Sequence, residues 1–268
     1  MLAFAANSIL CRVALRETAI DAATFTSVRV VSGALVLALL VQTRGGSAVR
    51  GGNWVSAAAL FAYAIAFSFA YRELTAGTGA LLLFGAVQAS MILWGWRRGE
   101  RPDWIQIAGL ALALGGLAWF VWPGVQAPPA LAAAAMLTAG IAWGVYSLRG
   151  RGAGDPLVST AGNFLRAVPF ALLASAVFFG RAHCPARGAL CALVSGAVTS
   201  GGGYAIWYTA LRGLDATRAA TVQLSVPVVA ALAGVWLLGE TFSGRLVFAS
   251  LAILGGIALV ISRRTRVS

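Results

Sequence analysis

The sequence predicts an all-α integral membrane protein, with ten transmembrane helices arranged as two five-helix inverted repeats. Three observations predict it: a composition unable to clothe a water-facing surface, apolar runs of span length from end to end, and a repeat at a spacing of 140 residues.

Composition comes first. Sixty per cent of the 268 residues are apolar and only 10% are charged, with a mean hydropathy of +0.85. A soluble domain of ordinary composition is about 25% charged. Too few charges remain to cover a surface in water, so the outer solvent is lipid. Ala, Leu and Gly dominate the apolar runs, and no alternating ten-residue pattern points to a barrel, which leaves helices as the spanning element. The net charge of +12 comes from arginine alone, since the chain has no lysine. A basic protein can bind nucleic acid, but these arginines are scattered between apolar spans and determine topology instead. Cys11, Cys184 and Cys191 have no metal-ligand spacing and are expected as free thiols.

Runs long enough to cross about 30 Å of hydrocarbon lie near residues 2–15, 22–43, 53–71, 76–96, 104–122, 128–148, 156–180, 188–211, 217–238 and 243–262. The first lacks a basic flank and reads as a span, not a cleaved signal. Its 14 residues rise only about 21 Å, so either it runs on past Arg12 or further residues precede it. The loop arginines orient the bundle. With both termini cytoplasmic, twelve fall inside (Arg44, Arg50, Arg97, Arg98, Arg101, Arg149, Arg151, Arg212, Arg218, Arg263, Arg264, Arg266) and five outside (Arg16, Arg72, Arg181, Arg187, Arg245). That bias obeys the positive-inside rule. An odd number of spans would put the clusters at 97–101 and 263–266 on opposite sides.

The repeat divides the chain into residues 1–123 and 124–268. Trp96, Gly99 and Glu100 recur as Trp236, Gly239 and Glu240, and Gly115-Gly116 recurs as Gly255-Gly256. Arg72 and Leu74 recur as Arg212 and Leu214, and Tyr63-Ala64-Ile65 recurs one residue out of step as Tyr204-Ala205-Ile206. Earlier in each half the spacing is 137, where Arg29 meets Arg166. Five spans per half is odd, so the second copy is upside down, the arrangement of transporters that rock about a midplane site.

These residues resemble the drug/metabolite transporter superfamily, and within it the EamA-type exporters. The most specific stretch is Gln223-Leu224-Ser225-Val226-Pro227-Val228-Val229 through Leu237-Leu238-Gly239-Glu240, joined by Trp143-Gly144. The run Phe84-Gly85-Ala86-Val87-Gln88 is similar to the bacterial aromatic amino acid exporters. The chain departs from the pattern at Val87, where the ninth span has Pro227, and at Ala5-Ala6, where span one often has Trp-Gly. The resemblance implies export of amino acids, aromatic and other neutral, or similar small metabolites, across the bacterial inner (plasma) membrane.

Polar and aromatic groups inside spans mark the candidate substrate site, because lipid-facing amides are costly and such groups turn to a cavity or a partner helix. They are Asn7, Tyr63, Gln88, Ser90, Trp143, Tyr146, Tyr204, Trp207, Tyr208, Gln223 and Ser225. Aromatic walls with a few amides and hydroxyls suit an amphipathic solute. Interface belts and helix–helix hydrogen bonds are the competing explanations. Pro227 is expected to kink span nine, and Arg29 and Arg166, at matching places in the two halves, are assigned structural or gating roles. Glu100 and Glu240 are expected to cap the helices that follow them.

All eight acidic residues sit at or near loop ends, and the single histidine, His183, lies in an outer loop. Proton-coupled antiport needs a buried titratable group, and the small multidrug members of the superfamily use a first-span glutamate that this chain lacks. Facilitated passage by alternating access is therefore expected. No metal site, cofactor, nucleic-acid partner or catalytic set is expected, and the partners are a small-molecule substrate and the bilayer, with the chain acting as a monomer. Two alternatives stay open: a nucleotide-sugar or drug carrier, and a non-transport lipid scramblase or scaffold.

Overall fold

The computed structural model describes residues 1–124, 126–150, 154–211, 222–262 and 266–267, without the side chains of residues 100, 208, 211, 266 and 267. The described residues form helices α1 (Leu2–Glu17), α2 (Ala22–Gln42), α3 (Trp54–Ala70), α4 (Ala76–Arg97), α5 (Trp104–Val121), α6 (Ala130–Gly150) and α7 (Pro156–Val177). After these come α8 (Ala186–Val194), which continues through a π-helical segment (Ser195–Gly202) into α9 (Gly203–Leu211), then α10 (Ser225–Leu238) and α11 (Gly244–Ile261). A two-residue antiparallel pairing joins Glu100–Arg101 to Arg266–Val267.

Local chemistry sets where the helices begin. Side chains of Asp21, Asn53, Thr75, Asp103, Asp155 and Ser243 accept from the free N–H groups at the starts of α2, α3, α4, α5, α7 and α11. Asp103 forms a full capping box with Gln106. The capping roles expected of Glu100 and Glu240 therefore fall to Asp103 and Ser243, which lie next to the first helical residue.

Seven helices are long and apolar enough to cross a membrane by length and composition, counting α8 through Trp207 as one. Helices α1, α3 and α10 have 16, 17 and 14 residues and fall short of that length. The surface is apolar: Trp236, Leu131 and Phe248 are exposed, as a lipid-facing shell requires. Around Pro227 the chain is helical at residues 222 and 223, turns at Leu224 and resumes as α10 at Ser225, which puts the proline in the first turn of α10. The expected start of the ninth span at 217 lies outside the described residues.

Helix α2 packs on α7, α5 on α11, and α4 on α10; α3 packs on α6 and α1 on α8; α4 packs on α6 and α1 on α10. Glycine permits the α5–α11 contact. A Cβ at Gly116 would stand 2.7 Å from the Ala252 Cβ, and one at Gly256 would meet the Gly109 carbonyl oxygen, whereas Gly115 and Gly255 face open space. One glycine of each pair brings the backbones together.

Candidate functional site

The aromatic residues converge on Trp143. Its ring lies 4.9 Å from Tyr63, 4.9 Å from Tyr204, 5.5 Å from Tyr146 and 6.1 Å from Phe4. Phe4 in turn stands edge-on to Tyr204 at 5.8 Å and to Trp207 at 6.0 Å, separations at which aromatic pairs attract. Helical spacing explains the convergence: Tyr63 and Phe67 are i and i+4 on α3, Trp143 and Tyr146 are i and i+3 on α6, and Phe4, Asn7 and Ser8 share one face of α1. These groups and α4 enclose a small cavity lined by Phe4, Asn7, Ser8, Tyr63, Phe67, Leu83, Phe84 and Trp143. Its volume is about 10 Å³, room for about one water. Ligand pockets measure about 300–1,000 Å³, so a solute can enter only when the rings part.

The polar candidates divide into three groups. Asn7 is buried and its Oδ1 accepts from the Ser195 hydroxyl at 2.6 Å and the Thr199 hydroxyl at 3.1 Å. Gln88 and Gln223 are buried and bonded to each other, Gln88 Nε2 donating to Gln223 Oε1 at 3.3 Å across the two halves of the chain. Ser90 and Ser225 turn back on their own helices, donating to the carbonyls of Val87 and Val222; Ser90 packs against Gly144, and Ser225 is exposed. The side chain of Tyr208 lies outside the described residues.

Arg29 and Arg166, equivalent by sequence, have different surroundings. Arg166 donates to the carbonyls of Gly51, Gly162 and Val49 and ties α7 to the loop before α3. Arg29 is 2% exposed. Its Nε donates to the Ser200 hydroxyl and its Nη2 to the Tyr63 hydroxyl, both at 3.1 Å. The guanidinium carbon lies 5.2 Å from the Tyr63 ring centre and 5.1 Å from that of Phe67, two walls of the cavity. The Arg29 Nη1 and the Tyr204 hydroxyl are buried without a hydrogen bond.

At one end of the bundle a second polar cluster joins both halves. Arg12 Nε donates to Glu240 Oε1 at 3.0 Å, and the Ala76 N–H, first in α4, donates to Glu240 Oε2 at 2.8 Å. Arg12 Nη1 also reaches the Tyr71 carbonyl at 3.4 Å.

Sequence reasoning missed Phe4 and Phe67, whose signal was their helical spacing from Asn7 and Tyr63. It also missed the π segment, whose widened turn presents Ser195 and Thr199 to Asn7 and Ser200 to Arg29. Such segments recur at functional sites.

A family model described as the EamA-like transporter family matches residues 1–122 and residues 130–262. An uncharacterized protein of Pseudomonas aeruginosa is 57% identical over 265 residues, covering 98% of this chain and 92% of that protein. A protein of Streptantibioticus cattleyicolor, named "Probable terminal-alkyne amino-acid exporter", is 30% identical over 219 residues, 78% of this chain and 71% of that one. A solved crystal structure that is 19% identical aligns over 97% of this chain and 96% of its own, with a TM-score of 0.68. At that identity the likeness is one of fold alone.

Proposed function

The chain belongs to the EamA-like transporter family, and we propose that it exports neutral amino acids, aromatic ones among them, or similar small metabolites, through the cavity around Trp143. The observation that carries the reading is the convergence of Phe4, Tyr63, Phe67, Phe84 and Trp143, from four helices, on one small cavity that Asn7 and Ser8 also line. Rings supply a surface for an apolar side chain, and the few polar groups orient the backbone of the solute. The name of the Streptantibioticus relative points to the same solute class.

Ten spans in two inverted halves, residues 1–123 and 124–268, are part of the proposal. The packing supports it: when α1–α5 are exchanged for α6, α7, α8–α9, α10 and α11, the α2–α7, α5–α11 and α4–α10 contacts map onto themselves. The α3–α6 and α4–α6 contacts map onto α1–α8 and α1–α10. The proposal has both termini in the cytoplasm of a bacterium, a reading the arginine bias supports, with the chain in the inner membrane as a monomer. Transport follows by rocking one half against the other around the cavity.

Facilitated passage is the proposed energetics. Among the described residues no Asp, Glu or His lines the cavity, and the little-exposed carboxylate of Glu240 is held by Arg12 and Ala76. The experiment is counterflow of labelled phenylalanine, threonine and a sugar nucleotide in proteoliposomes. Exchange of the amino acids alone is expected. Exchange only of the sugar nucleotide, or lipid scrambling with none, refutes the solute class. Uphill uptake driven by a pH gradient alone refutes facilitated passage.

A further inference from the structure

Arg29 presents an electrostatic problem that the rest of the fold does not solve. A guanidinium stays protonated in any protein environment, and a buried ion loses several kcal/mol of hydration unless a counter-charge replaces it. Among the described residues, the ion pairs are Arg12 with Glu240 and Arg187 with Glu17. Arg29 has two neutral hydroxyl acceptors and two ring faces. Its Nη1, with two N–H groups, has no acceptor. Arg166 shows what the same residue does in a structural role, bonding three carbonyls.

A second buried hydroxyl lies beside that of Tyr63: the hydroxyl of Tyr204 has no hydrogen bond of good geometry but stands close to the Tyr63 hydroxyl, and its ring touches Trp143 and Phe4, which line the cavity. Arg29 lies against Tyr63 and Phe67, which line it too. A charged donor without an acceptor and a buried hydroxyl thus flank one aromatic cavity. The missing partner is a small anion with at least two acceptor oxygens, attached to an apolar body that the rings can hold.

We propose that Arg29, assisted by the Tyr204 hydroxyl, receives the carboxylate of the transported amino acid, with the side chain among the rings around Trp143. The guanidinium fork matches a carboxylate in two parallel hydrogen bonds, and desolvation within the bundle strengthens the pair. The assignment rests on the amino-acid reading above. It adds that recognition is of the carboxylate, so an amine without one is rejected.

The test measures equilibrium binding to purified protein of labelled phenylalanine, with unlabelled phenylalanine, phenylalaninamide, phenethylamine and uridine diphosphate glucose as competitors. Wild-type protein, Arg29→Gln, Arg29→Lys and Tyr204→Phe are compared, each shown to be monodisperse. Phenylalanine is expected to displace the label at concentrations at least tenfold lower than the amide or the amine. Arg29→Gln is expected to erase that preference, Arg29→Lys to restore part of it, and Tyr204→Phe to weaken phenylalanine binding severalfold without altering the fold. A packing role for Arg29 changes stability but not the ratio between acid and amide.

An unchanged ratio in Arg29→Gln overturns the assignment while leaving amino-acid export standing. Equal displacement by acid and amide in the wild type does the same. Should Arg29→Gln fail to fold, an unchanged acid-to-amide ratio in Tyr204→Phe together with wild-type affinity overturns it, and a reduced ratio supports it. No saturable binding of labelled phenylalanine to the wild-type protein overturns both readings.

Discussion

Glu240→Gln tests the physics of the inter-half cluster directly. The carboxylate holds Arg12 through one oxygen and the Ala76 N–H through the other, and both charged side chains are only 11% exposed. Gln keeps the volume and one acceptor but replaces the second with an N–H₂ group, so either Arg12 or Ala76 faces a donor. Breaking a fully buried pair costs about 3–5 kcal/mol, and a single charged hydrogen bond contributes about 1.5–3 kcal/mol. The partial exposure places Glu240→Gln between these, at about 2–3 kcal/mol. Arg12→Gln should cost a similar amount, and the double variant less than the sum, with a coupling of about 1.5 kcal/mol or more. The matched control is Arg187→Gln, whose pair with Glu17 is 69% and 41% exposed and should change stability by under about 0.5 kcal/mol. Unfolding can be followed with a thiol-reactive dye, because Cys11 is buried in α1 beside this cluster, with exposed Cys184 and half-buried Cys191 replaced by Ser. Additive effects of the two substitutions, or equal effects at Glu240 and Arg187, would refute the reasoning.

Glycine contacts give a paired prediction: Gly256→Val should destabilise the bundle by more than about 2 kcal/mol, because its side chain would enter the Gly109 backbone, while Gly255→Ala, facing open space, should be neutral or slightly stabilising in the same melt. Gln88→Leu and Gln223→Leu each leave one buried amide unpaired and should each cost about 1–3 kcal/mol; the double variant should regain most of that stability but not phenylalanine counterflow, and full recovery of transport would remove the pair from the site. Asp21 lies outside the spans, where burial pushes its carboxyl up but hydrogen bonds from Thr24, His183 and Ala23 outweigh it and hold it below the usual range. Its folded pKa being depressed, its contribution is complete above the unfolded value near 4 and is lost as pH falls through the folded value. The melting difference between wild type and Asp21→Asn should therefore shrink as the pH is lowered from 7 towards 3, and a constant difference would count against the carboxylate. Trp143→Ala should reduce counterflow at least tenfold while the protein remains folded, since four rings lose their common contact; unchanged rates would move the substrate elsewhere.

Much of the fold was legible because the membrane solvent leaves few choices. Apolar runs gave helix positions within a few residues, and short polar residues such as Asp21, Asn53 and Asp103 begin α2, α3 and α5 where a capping side chain is needed. What was not legible depends on tertiary partners. Glu240 follows a helix and precedes another, the arrangement of a cap, yet it is held by Arg12, 228 residues away. The sequence Ser195-Gly196-Ala197-Val198-Thr199-Ser200-Gly201-Gly202 carries no period that distinguishes a π turn from an α turn. The bonds made by Ser195, Thr199 and Ser200 to Asn7 and Arg29 decide it. In the site, Trp143 and Tyr146 of α6 and Tyr204 and Trp207 of α9 were legible from i and i+3 spacing. Ser90 and Ser225 were misleading because a hydroxyl in a span can satisfy itself on its own helix.

The pair Arg29 and Arg166 shows where a repeat stops being informative. Matching positions in two related halves suggest one shared role, and a bundle that rocks about a pseudo-twofold axis gains from matching contacts at its two ends. A solute such as an amino acid has no such symmetry: one end is charged and the other apolar. A site made only of symmetry-related groups would offer it the same chemistry twice, so recognition must come from positions where the halves differ. Arg166 has three carbonyl partners near the start of α3, while Arg29 is buried among rings with donors to spare. Glu240 joins α1 and α4 from the other half of the chain. The proposed symmetry accounts for how the bundle moves, and its violations account for what the bundle holds.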